Sequence, residues 1–313
     1  MKRVSRLLIV ILAITVPGLA ACGAAAPELE PPGSTGSGLA SSGSSPASDS
    51  PAPRKAGVTP ATSEAHQSAL DEQLRDAAWA NDVDRAAALI ERGADVNAKD
   101  ATEQSPFLIS ASEGYLDLLN LTLAHGARVD SKDSWNGTAL IRAAERGHAL
   151  VVGRLLQVGI DKDHVNRIGY QAVHEAVWLG ADTTSYVDTI RALAAGGVEL
   201  TRESGNQGLT PLQMAHQRRY PDVEAALIGA LRPAEFSDPD AALLRAAGAG
   251  DADRVALALR AGARIETRDP LERTALLPAV TNHRVDVARL LVAMGADPDA
   301  LDHQHDTPGS SPG

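Results

Sequence analysis

Glycines recurring every 33 residues constrain this 313-residue chain more than any other feature of it. Gly93, Gly126, Gly159, Gly197, Gly262 and Gly295 follow one another at intervals of 33, 33, 38, 65 and 33. One five-residue insertion and one unit lacking its marker glycine account for the whole series. A second set, Gly114, Gly147, Gly180 and Gly250, opens with two more intervals of 33. A period of this length marks a repeat architecture in which every unit is one supersecondary element.

The third unit shows the template. Asn136-Gly137 makes a tight turn, Thr138 caps a helix by accepting from a free backbone N–H, and Leu140, Ala143 and Ala144 recur at helical spacing. Gly147 ends that helix in the left-handed conformation that glycine tolerates. Val151, Val152, Leu155 and Leu156 form the apolar stripe of a second helix, closed by Gly159. No unit can bury such a stripe alone, so neighbours must stack. Hydrophobic residues reach 44% while aromatics stay at 3%, so the core is built from Ala, Leu and Val, which suits short close-packed helices better than a β-sandwich.

These units resemble ankyrin repeats. The matching elements are Ser105-Pro106-Phe107-Leu108, Thr138-Ala139-Leu140 and Thr210-Pro211-Leu212 at helix starts, with Gly93-Ala94-Asp95-Val96-Asn97, Gly126-Ala127 and Gly295-Ala296-Asp297 after second helices. The resemblance covers residues 66–302 and implies an all-α solenoid of about seven helix-turn-helix repeats joined by β-turn fingers. Departures are local. Only His174 stands where the family places histidine, in Gln171-Ala172-Val173-His174, so the capping network is expected to be thinner than in an idealised array. The fourth repeat is stretched around Ala181–Tyr186. The fifth has Arg219 in place of glycine and Leu231-Arg232-Pro233 in place of the closing glycine, and the sixth, from Asp240, resembles a first repeat. A weak joint is inferred at 232–240. Leu301–Pro308 reads as the opening of a further repeat without helices, so the last full repeat is expected to fray, and residues 303–313 form a disordered tail.

Ahead of the repeats, Lys2, Arg3 and Arg6 precede an apolar run from Leu7 to Val16 that is too short to span a bilayer. Residues 1–21 therefore read as an export signal. Leu19-Ala20-Ala21-Cys22 resembles the lipobox of bacterial lipoproteins, which implies cleavage before Cys22, its acylation with palmitate-type chains, and a cell-membrane anchor facing the periplasm or the cell exterior. The alternative is an ordinary signal peptide with a chance cysteine. Several acyl chains give stable anchoring where one does not. Residues 22–65 hold the modified cysteine and a Gly/Ser/Pro/Ala-rich stretch that cannot bury enough apolar surface to offset its ordering entropy. As a flexible tether of roughly 40 residues it would span about 35 Å.

Several chemistries are excluded. Cys22 is the one cysteine, so no disulfide framework or thiol pair exists. The net charge of −11, −14 once the three cations of the first 21 residues are removed, argues against nucleic acid. Gly248-Ala249-Gly250 lacks the third glycine of a phosphate loop, and His174-Glu175 lacks a second histidine. His303 and His305 are two ligands where a stable metal site needs three or four. No constellation of nucleophile, base and stabiliser stands out. The chain is therefore read as a non-enzyme without cofactor, metal or evident small-molecule substrate.

The aromatics carry the binding argument. Trp79 and Trp178 follow the two small residues of their first helices, a position the resemblance places on the concave groove. Trp135 and Tyr170 fall on the turns leading into the third and fourth repeats. All four are expected to bind a protein partner, since exposed aromatics are typical of interface hot spots. Alternatively, Trp79 shields the open N-terminal end and Trp178 packs under the insertion. The functional expectation is a membrane-tethered interaction module of the cell envelope. Its alternatives are an inhibitor or immunity protein for a secreted enzyme or toxin, and a structural envelope lipoprotein without a specific partner.

Overall fold

The computed structural model describes residues 60–302. The segment read as an export signal, Cys22, most of the segment read as a linker, and His303 and His305 lie outside the described residues.

Fourteen helices follow in seven antiparallel pairs: α1 (Pro60–Trp79) with α2 (Val83–Glu91), α3 (Pro106–Glu113) with α4 (Leu116–Ala124), α5 (Ala139–Glu145) with α6 (Ala149–Gln157), α7 (Ala172–Trp178) with α8 (Thr184–Ala195), α9 (Pro211–Arg218) with α10 (Pro221–Ala230), α11 (Pro239–Ala249) with α12 (Ala252–Arg260), and α13 (Leu276–Thr281) with α14 (Val285–Ala293). Among the described residues there is no strand, only isolated bridges such as Lys132 to Thr138 in the fingers. The fold is an all-α repeat solenoid.

Side-chain caps set the helix starts. The N–H of Leu108 donates to Ser105 Oγ, that of Ile141 to Thr138 Oγ1 and that of Gln213 to Thr210 Oγ1, each at 3.3 Å. In the fourth repeat His174 Nδ1 accepts the N–H of Gln171 at 3.2 Å, while Nε2 donates to the carbonyl of Arg202 at 2.9 Å. Gly114 and Gly250 end their helices with positive φ, and Arg219 does the same at φ 58° without the freedom of glycine. The inserted residues of the fourth repeat lengthen α8 to twelve residues, and Asp182 Oδ1 accepts from the N–H groups of Asp222 and Val223 at the start of α10.

Helix α1 begins six residues inside the segment 22–65 read as linker. Residues 63–69 are all exposed, so the extension rests on helix propensity and carries no apolar stripe that a sequence pattern could reveal.

The fingers share a device that glycine spacing does not reveal. The side-chain oxygens of Asp100, Asp133, Asn166 and Asp269 each accept two backbone N–H groups, two and four residues on, at 2.8–3.1 Å. Ser204 holds the fifth finger the same way with one extra residue. These positions follow the 33, 33, 38 and 65 intervals of the marker glycines.

The stack does not continue evenly to its end. First helices pack in a column from α1 to α9, and the column restarts at α11, which packs on α12 and α13. The segment between α10 and α11 turns the chain, with the Arg254 guanidinium 5.6 Å from the Phe236 ring centre. Second helices of the last two repeats then lie on second helices of earlier ones: α12 packs against α8 and α10, and α14 against α6 and α8. Contacts therefore reach beyond neighbouring repeats, and the last full repeat, expected to fray, packs its second helix on the third and fourth repeats. The cause is a run of small residues and paired charges. A Cβ on Gly153 of α6 would lie 1.9 Å from the carbonyl oxygen of Ala293 in α14, so only glycine permits this approach. Arg289 Nε donates to Asp188 Oδ2 at 2.7 Å, and Arg191 Nε to Asp253 Oδ1 at 2.8 Å.

Gly153 reverses an ordinary rule. Glycine to alanine inside a helix normally stabilises by about 1 kcal/mol. Here Gly153→Ala drives a methyl into a backbone carbonyl and should destabilise by about 1–3 kcal/mol, with faster proteolysis of residues 276–302. Thermal unfolding and limited proteolysis test this; a raised melting temperature would refute the docking of α14 on α6.

Candidate protein-binding surface

In each finger the residue two positions after the Asp, Asn or Ser anchor stands at the tip. That column reads Thr102, Trp135, Ile168, Asn206 and Leu271. Trp135 is 60% exposed and Ile168 40%. The two fingers are tied together: the N–H of Arg167 donates to the Trp135 carbonyl at 3.1 Å, and Asn136 Nδ2 to the Val165 carbonyl at 3.1 Å. The fourth and fifth fingers meet at Gly169 and Gly205, whose backbones approach so closely that a Cβ on Gly169 would lie 2.5 Å from Gly205 Cα. Trp135 and Ile168 therefore form one apolar ridge on adjacent tips. Ile168 was not singled out from the sequence, although the finger register would have marked it.

Tyr170 is not on this ridge. It occupies the fourth position after Asn166, where donation of its N–H to Asn166 Oδ1 turns the side chain inward. It is 1% exposed, stacks on His174 with ring centres 5.9 Å apart, and donates its hydroxyl hydrogen to Gln207 Oε1. Its assignment as an exposed contact residue is corrected to a core residue. Trp79 and Trp178 share one helix position, but Ser112 and Glu145 hold that position in the two repeats between them. With helices stacked 8–10 Å apart, they stand about 25–30 Å from one another. Trp79 is exposed. Trp178 is half-buried under Arg218, whose guanidinium lies 5.5 Å from the Trp178 ring centre and 5.2 Å from that of Tyr220. Tyr220 donates to the Gly180 carbonyl at 3.0 Å, and Leu179 beside it is exposed. Trp178, Leu179, Arg218 and Tyr220 make a second patch.

Between the ridge and this patch runs a buried polar network. Asp133 accepts from Arg142, and Arg142 Nη1 donates to Glu145 at 2.6 Å. In the next repeat, at the position of Arg142, Glu175 accepts from Asn166 Nδ2 at 2.6 Å, and its Oε2 has no hydrogen-bond partner. Burial, reinforced by the nearby Glu145 carboxylate and opposed by Asn166, pushes the Glu175 carboxyl up to about 7. Among the described residues no three His, Cys, Asp or Glu side chains gather to hold a metal ion.

Because the folded state keeps the Glu175 proton that the unfolded state loses near 4.5, stability is greatest below that pH and falls as pH rises through about 7. Glu175→Gln removes this dependence. The stability difference between variant and parent should shift in the variant's favour by up to ~3 kcal/mol from pH 5 to pH 8. Urea unfolding at the two pH values measures it, and a pH-invariant difference would show that Glu175 stays ionised throughout.

The model of the family described as Ankyrin repeats (3 copies) matches residues 74–166 and 107–204. The ankyrin repeat protein YahD of Escherichia coli (strain K12) is 31% identical over 144 residues, 46% of this chain and 71% of YahD. A transient receptor potential cation channel subfamily A member 1 homolog of Caenorhabditis elegans is 32% identical over 199 residues, 62% of this chain but 16% of the channel. An ankyrin repeat domain from Acinetobacter baumannii AYE, solved by crystallography, shares 42% identity over 50% of this chain and 80% of that one, with a TM-score of 0.48. By its repeat register, its helix pairs, the family match and its identity to YahD over most of that protein's length, the chain belongs to the ankyrin repeat family, whose repeats serve as protein–protein interaction modules.

Proposed function

We propose that this protein is a membrane-tethered binding module of the bacterial cell envelope, held through an acylated Cys22 and presenting its fingers to a protein partner. One observation carries the binding reading: two large apolar side chains, Trp135 and Ile168, stand exposed on adjacent, hydrogen-bonded finger tips of an ankyrin array. Exposing them costs a monomer free energy without benefit to its fold, and rigid aromatic area of this kind dominates interface energetics. The second patch supplies Trp178, Arg218 and Tyr220, residue types enriched at interface hot spots.

The tether reading rests on the n-region, the short apolar run and the lipobox-like Leu19-Ala20-Ala21-Cys22. No helix among the described residues is long and apolar enough to cross a membrane. On this reading the protein faces the periplasm or the cell exterior, and the residues between Cys22 and the first helix act as a spacer.

Two measurements test these claims separately. Cys22→Ser should abolish metabolic labelling with palmitate, and undiminished labelling would sink the anchor. For the ridge, Trp135→Ala combined with Ile168→Ala should leave thermal unfolding within about 0.5 kcal/mol of the parent, as for exposed sites. The same variant should weaken capture of a specific envelope partner by about 2 kcal/mol or more, some thirtyfold, while Leu271→Ala does not. A large melting loss with capture intact would make the ridge structural.

A further inference from the structure

The docking of the last repeat on the third and fourth leaves a groove that neither half would have alone. It holds about 540 Å³ and lies between α6, α8 and α14, with Leu150, Val151, Val292 and Ala293 among its walls. Leu150 and Val292 are exposed large hydrophobic residues, one from each half, at the groove's rim. A volume of this size, mostly apolar with a few polar groups and sited between packed units, is what small-molecule sites share.

Two of its polar lining groups lack a donor. Asp188 is 7% exposed; its Oδ2 is taken by Arg289, and its Oδ1 is buried with no hydrogen-bond partner. His148 Nε2 lies 3.1 Å from the Ser112 carbonyl, and since a carbonyl can only accept, Nε2 carries the hydrogen. Burial holds His148 below the usual imidazole range, so at neutral pH its Nδ1 is a bare acceptor. They belong to different levels of the stack: His148 Nδ1 packs over Gly114 of the second repeat, 2.5 Å from where a Cβ there would stand, while Asp188 sits in the fourth.

Charge points the same way. Around the Asp188 end three carboxylates share two guanidinium groups: Arg289 bonds to Asp188 and Asp286, and Arg191 bonds to Asp253 and lies 3.8 Å from Asp286. One negative charge is left over. A ligand carboxylate would add repulsion and leave Asp188 Oδ1 unmet, and a pure hydrocarbon would also leave it unmet. A protonated amine brings three donors and the missing positive charge. Arg289 is 40% exposed, so its side chain has room to shift as the amine reaches Oδ1.

We propose that this groove binds a small primary amine with an apolar body, the hydrocarbon lying between Leu150 and Val292 and the ammonium donating to Asp188 Oδ1. Isothermal titration of the purified protein at neutral pH with n-octylamine and n-octanoate tests it. Octylamine should bind at one saturable site, and octanoate about tenfold or more weakly, the worth of a charge-assisted hydrogen bond. Asp188→Asn should weaken octylamine to a similar degree. Because that variant also loses the bridge to Arg289, Val292→Trp decides the matter: it starts from an exposed rim position, leaves the bridge in place and fills the groove, so it should abolish binding while melting stays cooperative. Equal affinity for amine and carboxylate, octylamine binding untouched by Val292→Trp, or no saturable binding at all would each overturn the proposal.

Discussion

No repeat of this chain can close its own core. Each helix pair buries one side of its apolar stripe against its own partner and needs a neighbouring pair for the rest, so the fold exists only as a stack. The stripes are made of small residues: Ala143, Ala144, Ala176, Ala246, Ala247 and Ala279 are all fully or almost fully buried. Small side chains bring helix axes close and leave little area per residue, so extra packing surface has to come from elsewhere. The chain finds it by turning at the segment after α10 and laying α12 and α14 on the outer side of α6 and α8. Gly153 makes that approach possible, while Asp188, Arg191, Asp253 and Arg289 hold its register.

What the sequence made legible follows from what a period can encode. The marker glycines revealed helix ends because a left-handed residue at each end is a local requirement, and Ser105, Thr138 and Thr210 revealed helix starts for the same reason. The fold-back left no such trace. Its determinants lie on the outer face of second helices, where Gly153 reads as a weak helix position and Asp188 and Arg289, 101 residues apart, read as surface charge. A repeat register relates each residue to its counterpart 33 positions away, so it is blind to a pairing that joins the third and fourth units to the last.

The same distinction sorts the aromatic residues. Trp135 and Tyr170 both lie in finger turns, and composition treats them alike. The Asx-type turn separates them: two residues after the anchor the side chain is exposed, whereas Tyr170, four residues after Asn166, turns under the next finger to reach Gln207. Trp135 holds the first position and Tyr170 the second, which Gly137 occupies one repeat earlier. Arg142 and Glu175 likewise share one helix position in successive repeats. Arg142 finds carboxylate partners within its own repeat, whereas Glu175 has one amide donor and an unpaired oxygen.

The fold-back also bears on how the finger face can work. It covers second helices only, so Trp135 and Ile168 stay exposed while the opposite side of the same repeats is occupied. Bending the stack between the third and fifth repeats would have to slide α6 and α8 along α12 and α14, which means breaking the Asp188–Arg289 and Arg191–Asp253 pairs and lifting Ala293 from Gly153. These contacts are partly or fully buried, and breaking them leaves charges with reduced solvation, which costs more than the pairs contribute when formed. The curvature of the central repeats is thereby held from behind. A partner that meets the finger ridge then meets a surface already ordered, and the ordering cost that would otherwise subtract from affinity has been met during folding. In a chain whose core is short of large side chains, doubling back stabilises the stack and stiffens the face left open.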